Sequence, residues 1–391
     1  MRVLIITNHP IDRKEGGCIA SRAYINAFSN IFKDCMLIYP ANGNGNGNGN
    51  CNEISHLVNP WLKTVPCKDQ RPKWIKGLGV YIGKLHRFKR TTKKWLKLYK
   101  PDIVVFDSAI VSLGLIDLVK RLKIKIVTIH HNVEIDFFSD NLLPIQIRLP
   151  YLYYLKKAER NALLKSNLDL TLTENDTCRL KTLYAPDKNL NIRCLGVFEP
   201  EKHALSDLPY RSDFRDSKKI NIVITGSLAY SQNNLSIVEF LNDYFPVIRD
   251  LQENVIITIG GSKPSEQIKS MCNGHPQLRL ISDPENLLKI VSEGDVYVCP
   301  INRGSGLKLR IMDSLKLGIP TIVHEVSARG YESFIKAGII FPYNSVPTFM
   351  TALQKVLDCQ FDSEKIKKLY NETFSFESGV SRMETILTGN L

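Results

Sequence analysis

No two of the nine cysteines stand at Cys-x-x-Cys spacing, and their number is odd. A zinc site of ordinary spacing and a disulfide framework are both poor readings of such a set, and a reducing compartment is the simplest one. The chain also lacks any apolar run near the roughly 18 residues a spanning helix needs. The opening Met1-Arg2-Val3-Leu4-Ile5-Ile6-Thr7 is too short for the apolar core of a signal peptide and reads as a first strand. The expected location is the cytoplasm, with room for peripheral contact with the inner face of the membrane. Acid is nearly missing from one window. Between residues 61 and 100 thirteen Lys and Arg meet only Asp69, so this stretch carries +12 of the net +13. A field so localised asks for an anionic partner or a solvated surface. Within it, charges alternate with Trp74, Ile75, Leu78, Tyr81, Ile82, Leu85, Phe88, Trp95 and Leu98, a mixture that suits either an anionic membrane interface or a helix packed on its own domain. No nucleic-acid recognition motif accompanies it, so nucleic acid is not expected.

What is present is the material of folded cores. Of 391 residues, 43% are hydrophobic, which argues against disorder and, with the length, for two or three domains. Short Val/Ile-rich runs at 2–7, 35–39, 102–106, 125–129 and 169–173 alternate with helix-length segments at 20–32, 109–122 and 151–165. The pattern repeats with strands at 220–225, 255–259, 278–281, 296–299 and 320–323, and helices at 235–248, 307–317 and 348–357. Such alternation predicts an α/β protein of doubly wound parallel sheets. A polar stretch with Pro200 and Pro209 lies between the halves. The expected organisation is a domain over 1–195, a linker over 196–219 and a second domain over 220–374. The Asn-Gly repeat at 42–50 predicts a loop with no core-forming side chain.

Four segments carry chemistry. In the first, the run from Asp295 enters Gly304-Ser305-Gly306-Leu307-Lys308 and a helix. Glycines let a backbone approach a ligand, and free amides favour an anion at the end of a parallel strand. Lys308 is read in the first helical turn, where a cation opposes the dipole unless it meets a phosphate. Arg310, two residues on, is expected to face elsewhere. The second segment, Gly16-Gly17, is read in a loop before a helix starting near Ala20. The third, His130-His131-Asn132-Val133-Glu134 at a strand end, offers proton handlers or orienting groups. It has no evident third metal ligand, and no metal is expected. The fourth, Gly226-Ser227, is read just after a strand, as a turn equivalent to Gly16-Gly17 or an ordinary strand-to-helix connection.

These segments, in order, resemble the retaining glycosyltransferases of family 4. The likeness takes in Gly16-Gly17, His131-Asn132-Val133-Glu134, Tyr154–Arg160, Leu172–Asp176, Thr225–Leu228, Asn233-Asn234, Ile259–Gly261, Gly304–Asp313, Gly318–Val323 and Ala328–Gly330. The resemblance implies the GT-B fold, two Rossmann-like domains facing across a cleft, with a last helix about 375–391 returning to the first. It also implies a nucleotide diphosphate sugar donor, UDP- or GDP-linked, no metal or other cofactor, and retention at the anomeric carbon. The first domain would take a glycan or lipid-linked acceptor, as in surface polysaccharide or lipopolysaccharide assembly. His131 or His130 would line the sugar site, while Lys308, Arg310 and the Gly304–Leu307 amides would meet the diphosphate and Asp313 a hydroxyl. Two departures stand out. Where many members have two glutamates eight residues apart, this chain has Ser305 and Asp313, and the basic pair usual after Gly226 is absent. A sugar-nucleotide 2-epimerase and a non-catalytic subunit of a transferase complex remain alternatives.

Overall fold

In this computed structural model the described residues are 1–13, 16–40, 54, 56–67, 88–139, 145–186, 189–201, 219–251, 254–304 and 307–391. The chain forms two compact units, Met1–Lys202 with Phe374–Leu391, and His203–Thr373. The Asn-Gly repeat, most of the expected linker and residues 68–87 of the basic window lie outside the described residues.

The first unit runs β1 (Arg2–Thr7), α1 (Gly16–Ile31), β2 (Asp34–Pro40), β3 (Lys63–Cys67), α2 (Lys89–Tyr99), β4 (Ile103–Asp107), α3 (Ala109–Ser112), α4 (Ile116–Arg121), β5 (Lys125–His130), α5 (Glu134–Ser139), α6 (Ile145–Lys165), β6 (Leu168–Thr171), α7 (Glu174–Tyr184) and β7 (Ile192–Cys194). Its sheet is ordered β3-β2-β1-β4-β5-β6-β7, and every described pairing is parallel. β1 and β4 are buried almost throughout, which is why they read as unbroken apolar runs. Leu4, Ile6, Val104 and Phe106 share one core cluster with Leu96 and Tyr99 of α2.

Several expectations need correction here. Gly16-Gly17 is not a loop but the opening of α1. Glycine is a poor helix former, so the start is hidden in the sequence, yet a methyl at Gly17 would stand 3.0 Å from Cε1 of His9. The helix predicted over 109–122 is two short ones, because Leu113 is extended and Gly114 has φ +76°. Thr173 does not end β6. Its hydroxyl caps α7, accepting from the Asp176 amide at 3.0 Å. The unforeseen β3 and β7 are short edge strands, and β3 contains Pro66, which an edge tolerates.

The second unit runs β8 (Ile220–Ser227), α8 (Ser231–Asp243), α9 (Phe245–Leu251), β9 (Val255–Ser262), α10 (Glu266–Asn273), β10 (Leu278–Ser282), α11 (Leu287–Ser292), β11 (Val296–Cys299), α12 (Arg310–Lys316), β12 (Thr321–His324), α13 (Glu332–Lys336), β13 (Ile340–Tyr343), α14 (Val346–Asp358) and α15 (Ser363–Phe374). Its parallel sheet is ordered β10-β9-β8-β11-β12-β13. In both units the strand order reverses beside the first strand, as in Rossmann folds, at β1/β4 and at β8/β11. Gly226 and Ser227 do not follow β8 but end it, paired with Gly261 and Ser262 of β9. A methyl at Gly261 would lie 1.9 Å from the Gly226 carbonyl oxygen, so strand contact explains that glycine. The helix predicted over 235–248 is interrupted at Tyr244, and Pro246 falls in the first turn of α9, where its missing N–H costs little.

After α15, a last helix, α16 (Phe376–Asn390), belongs to the first unit and packs along α1. Arg382 donates to the carbonyls of Leu195 at 3.1 Å and Val197 at 3.3 Å. Val197 and Phe198 are buried beneath it, so the first unit extends past residue 195.

Candidate active site

In the second unit, the loop leaving β11 is pinned at its base. Ser327 donates to the Ile301 carbonyl at 2.6 Å. Ser236 of α8 donates to Asn302 at 2.8 Å, and Asn302 donates to Glu239 at 2.7 Å. Arg303 pairs with the same Glu239. The Asn302 hydrogen bond, against some desolvation and with help from Arg303, holds the Glu239 carboxyl below its ordinary range. This tie continues to Gly304, whose φ of +84° favours glycine and where a methyl would meet Gln232 at 2.6 Å. Ser305 and Gly306 lie outside the described residues.

Leu307 and Lys308 follow, and both precede the helix, since α12 starts at Arg310. Lys308 is therefore not in a first helical turn, and the dipole argument for it falls. Its carbonyl accepts from the Tyr331 hydroxyl at 2.9 Å. Burial lowers the pKa of its amine, with the charge of Arg329 adding to the effect and Cys299 opposing it. Because residues 308 and 310 do not share a helix, the spacing rule that turned Arg310 away does not apply. The Arg310 guanidinium reaches Gly226: Nη1 and Cζ lie 3.5 and 3.7 Å from where a methyl there would stand. It makes no hydrogen bond or ion pair among the described residues. Asp313, half-buried on α12, adds to the burial that raises the Tyr297 and Tyr331 hydroxyl pKa values. The structure thus gathers Gly226, Gly304, Lys308, Arg310 and Asp313 around the strand ends where the order reverses. Gln232, Glu239 and Tyr331, which sequence reasoning missed, support them.

The first unit has a polar cluster at its own reversal point. β1 ends in Thr7 and β4 in Asp107, and the Thr7 hydroxyl donates to Asp107 Oδ2 at 2.6 Å. His131 Nε2 lies 2.6 Å from Asp107 Oδ1, and the His9 amide donates to Thr7 Oγ1 at 3.0 Å. The His131 ring packs 4.8 Å from His9 and 5.7 Å from Tyr24, centroid to centroid. Burial acts to raise the Asp107 pKa, but the charge and hydrogen bond of His131 outweigh it and hold the carboxyl well below its usual range. His130 points to the other side of β5, with Nε2 2.9 Å from Asp169 Oδ1. There burial prevails and the Asp169 pKa is raised despite the His130 hydrogen bond. Glu134 is held through its amide, which donates to Glu159 at 2.6 Å. Glu159 also accepts from Tyr184 at 2.5 Å. Thr7, Asp107 and Asp169 went unnoticed in the sequence, although a polar residue closing an apolar strand was the available signal for the first two.

At the described end of the basic window most apolar side chains are inward, while Leu98 is exposed. Phe88, Leu96 and Tyr99 belong to the core, with Trp95 packed against it, while Lys89, Arg90, Lys93, Lys94 and Lys97 are exposed.

Residues 219–359 match the family model described as glycosyl transferases group 1. No curated protein sequence matches at a significant level. Solved structures are similar across both units. The lipopolysaccharide outer core galactosyltransferase WaaB, apo form, has a TM-score of 0.69 at 12% identity, with all of each chain covered. Sucrose-phosphate synthase from Thermosynechococcus elongatus has a TM-score of 0.71 at 11% identity, covering 100% of this chain and 99% of that one. Anabaena Alr3699/HepE in complex with UDP has a TM-score of 0.66 at 8% identity, with full coverage of both. The architecture is the GT-B fold, two Rossmann-like parallel-sheet domains. With a glycosyltransferase group 1 domain in its second unit, the chain is an enzyme of the glycosyltransferase class.

Proposed function

We propose that the second unit binds a UDP- or GDP-linked sugar at the ends of β8 and β11. The chain would transfer that sugar, with retention and without a metal, to a glycan or lipid-linked acceptor held by the first unit, in cell-surface polysaccharide or lipopolysaccharide assembly. One observation carries the donor reading: the Arg310 guanidinium lies against Gly226 at the sheet's reversal point, with no hydrogen-bond or ion-pair acceptor among the described residues. Five donors in a planar fork suit a phosphate, and the site lacks the basic pair usual after Gly226. Lys308 would add charge where the leaving diphosphate becomes more negative in an oxocarbenium-like transition state. Asp313 would accept from a hydroxyl of the donor, and Ser227 and Leu307 would line its path. The UDP complex of the Anabaena protein supports the nucleotide class, and the galactosyltransferase WaaB supports a surface-polysaccharide role.

The test is calorimetric titration with UDP and GDP, followed by a hydrolysis screen of their sugars in EDTA. One nucleotide should bind, and Arg310→Ala should weaken it about 10- to 100-fold, as expected for losing charged hydrogen bonds worth about 1.5–3 kcal/mol. Binding of neither nucleotide would point to a non-catalytic subunit, and donor turnover without transfer but with inversion at C2 to an epimerase. The product's anomeric configuration, read by NMR, tests retention.

For the basic window we propose docking on anionic membrane through the exposed face of α2. Supporting it are the five exposed cations on that helix. No helix among the described residues is long and apolar enough to cross a membrane. Co-sedimentation with vesicles should require anionic lipid and fade with salt.

A further inference from the structure

His130 and His131 are neighbours at the end of β5, and each meets a buried carboxylate through Nε2. In both rings Nδ1 is buried and has no hydrogen-bond partner among the described residues. The two surroundings differ. His130 contacts Asp169 on the adjacent strand β6, an arrangement that ties two core strands together. His131 contacts Asp107, and Asp107 is itself held from behind. Its second oxygen accepts the Thr7 hydroxyl at 2.6 Å, and Thr7 Oγ1 in turn accepts the His9 amide at 3.0 Å. The string therefore has one direction. The His9 N–H donates to Thr7, which directs the Thr7 proton onto Asp107, and the other oxygen of Asp107 is left to accept from His131. Asp107 is fully buried and ends β4 at the reversal point of the sheet.

We propose that Asp107 is a positioning residue: with Thr7 and the His9 amide behind it, it holds His131 as the Nε2–H tautomer and leaves Nδ1 as a lone-pair acceptor for an O–H or N–H group of the bound ligand. A carboxylate able only to accept selects which imidazole nitrogen carries the proton, and the tilted packing of the ring against His9 helps to fix its plane. The reverse tautomer would place a buried N–H where no acceptor is present among the described residues, and it would set a lone pair against the carboxylate. This role deepens the transferase reading for the first unit, yet its first test is independent of that reading.

The experiment is ¹⁵N NMR of the full-length protein with labelled histidine, without substrate, the His131 signals being assigned by their loss in His131→Gln. At neutral pH the wild type should show a protonated Nε2 and an unprotonated Nδ1. Asp107→Asn should lose that bias, because a carboxamide can present either a donor or an acceptor. Thr7→Val should weaken it, and Thr7→Ser, which keeps the hydroxyl, should restore it. A wild-type Nδ1–H tautomer, or one unchanged in a folded Asp107→Asn, overturns the proposal whatever the reaction proves to be. Once a donor and acceptor are found, Asp107→Asn should lower kcat by about 100-fold with a much smaller change in KM, the scale of a misplaced reacting group. A kcat left at the wild-type level would overturn the role even if the tautomer changed.

Discussion

Glycine inside a helix costs roughly 1 kcal/mol relative to alanine, so propensity alone says that Gly379→Ala in α16 should stabilise the protein. Packing reverses the sign. A methyl at 379 would stand 2.0 Å from Cγ of Phe198 and 2.3 and 2.4 Å from its two Cδ atoms. Carbon atoms in contact keep about 3.5–4.0 Å, so the ring would have to withdraw by roughly 1.5 Å. It has little room to do so. Phe198 is 2% exposed, lies edge-on to Tyr24 at 5.3 Å and faces Phe376 at 6.4 Å. Arg382 holds the carbonyls of Leu195 and Val197 just before it. Overpacking of this kind costs about 1–3 kcal/mol, and three close ring atoms argue for the upper part of that range. After the helical gain, the net loss is about 1–2 kcal/mol, or roughly 2–8 °C in melting temperature for a unit of this size. Gly389 is the internal comparison: on the same helix, a methyl there meets nothing within 4 Å. Gly389→Ala should raise stability slightly, by less than about 1 kcal/mol so close to a helix end. All three tryptophans, Trp61, Trp74 and Trp95, fall in the first unit, so tryptophan fluorescence during thermal unfolding follows that unit even if the two melt separately. In a Phe198→Ala background the cost of Gly379→Ala should vanish. A Gly379→Ala protein at least as stable as the wild type, or a cost that persists without the ring, would refute the reasoning.

Other substitutions test the sites directly. Gly261→Ala puts a methyl 1.9 Å from the Gly226 backbone oxygen and should cost about 3 kcal/mol, read as an early loss of nucleotide binding on heating. Lys308→Ala should reduce turnover more than donor affinity, because charge on the leaving diphosphate grows towards the transition state, and steady-state kinetics with equal losses in both would count against it. Asp107 has a depressed pKa, so its contribution to stability is complete above the unfolded value of about 3.9 and is lost as pH falls through the lower folded value. Asp107→Asn should therefore flatten the rise of stability with pH on the acid side. Asp169 carries the opposite sign: its pKa is raised, so stability falls as pH climbs from the unfolded value through the folded one, and Asp169→Asn should remove that decline. Acid and neutral urea titrations of both variants would separate the two effects.

The alternation of apolar runs with helix-length segments was enough to read two doubly wound sheets, because strands buried on both faces leave a continuous apolar signature, as β1 and β4 do. The short edge strands β3 and β7 leave almost none. Gly304 was legible as a backbone site, and its φ of +84° accounts for the residue type. The orientation expected of Arg310 did not follow, because it was taken from a helical register that begins only at Arg310 itself.

By itself, then, the sequence determined the core strands, most helix-length segments and which chemistry lies near the strand ends, since periodicity and residue type are local properties. Tertiary structure alone decided which strand ends are neighbours. Thr7, Asp107 and His131 are far apart in the chain and meet because β1 and β4 pair in parallel register and β5 lies beside β4. Arg310 reaches Gly226 for the corresponding reason in the second sheet, where β8 pairs with β11. Strand order is set by which crossovers bury the most apolar surface, a sum over the whole unit that no single stretch of sequence contains.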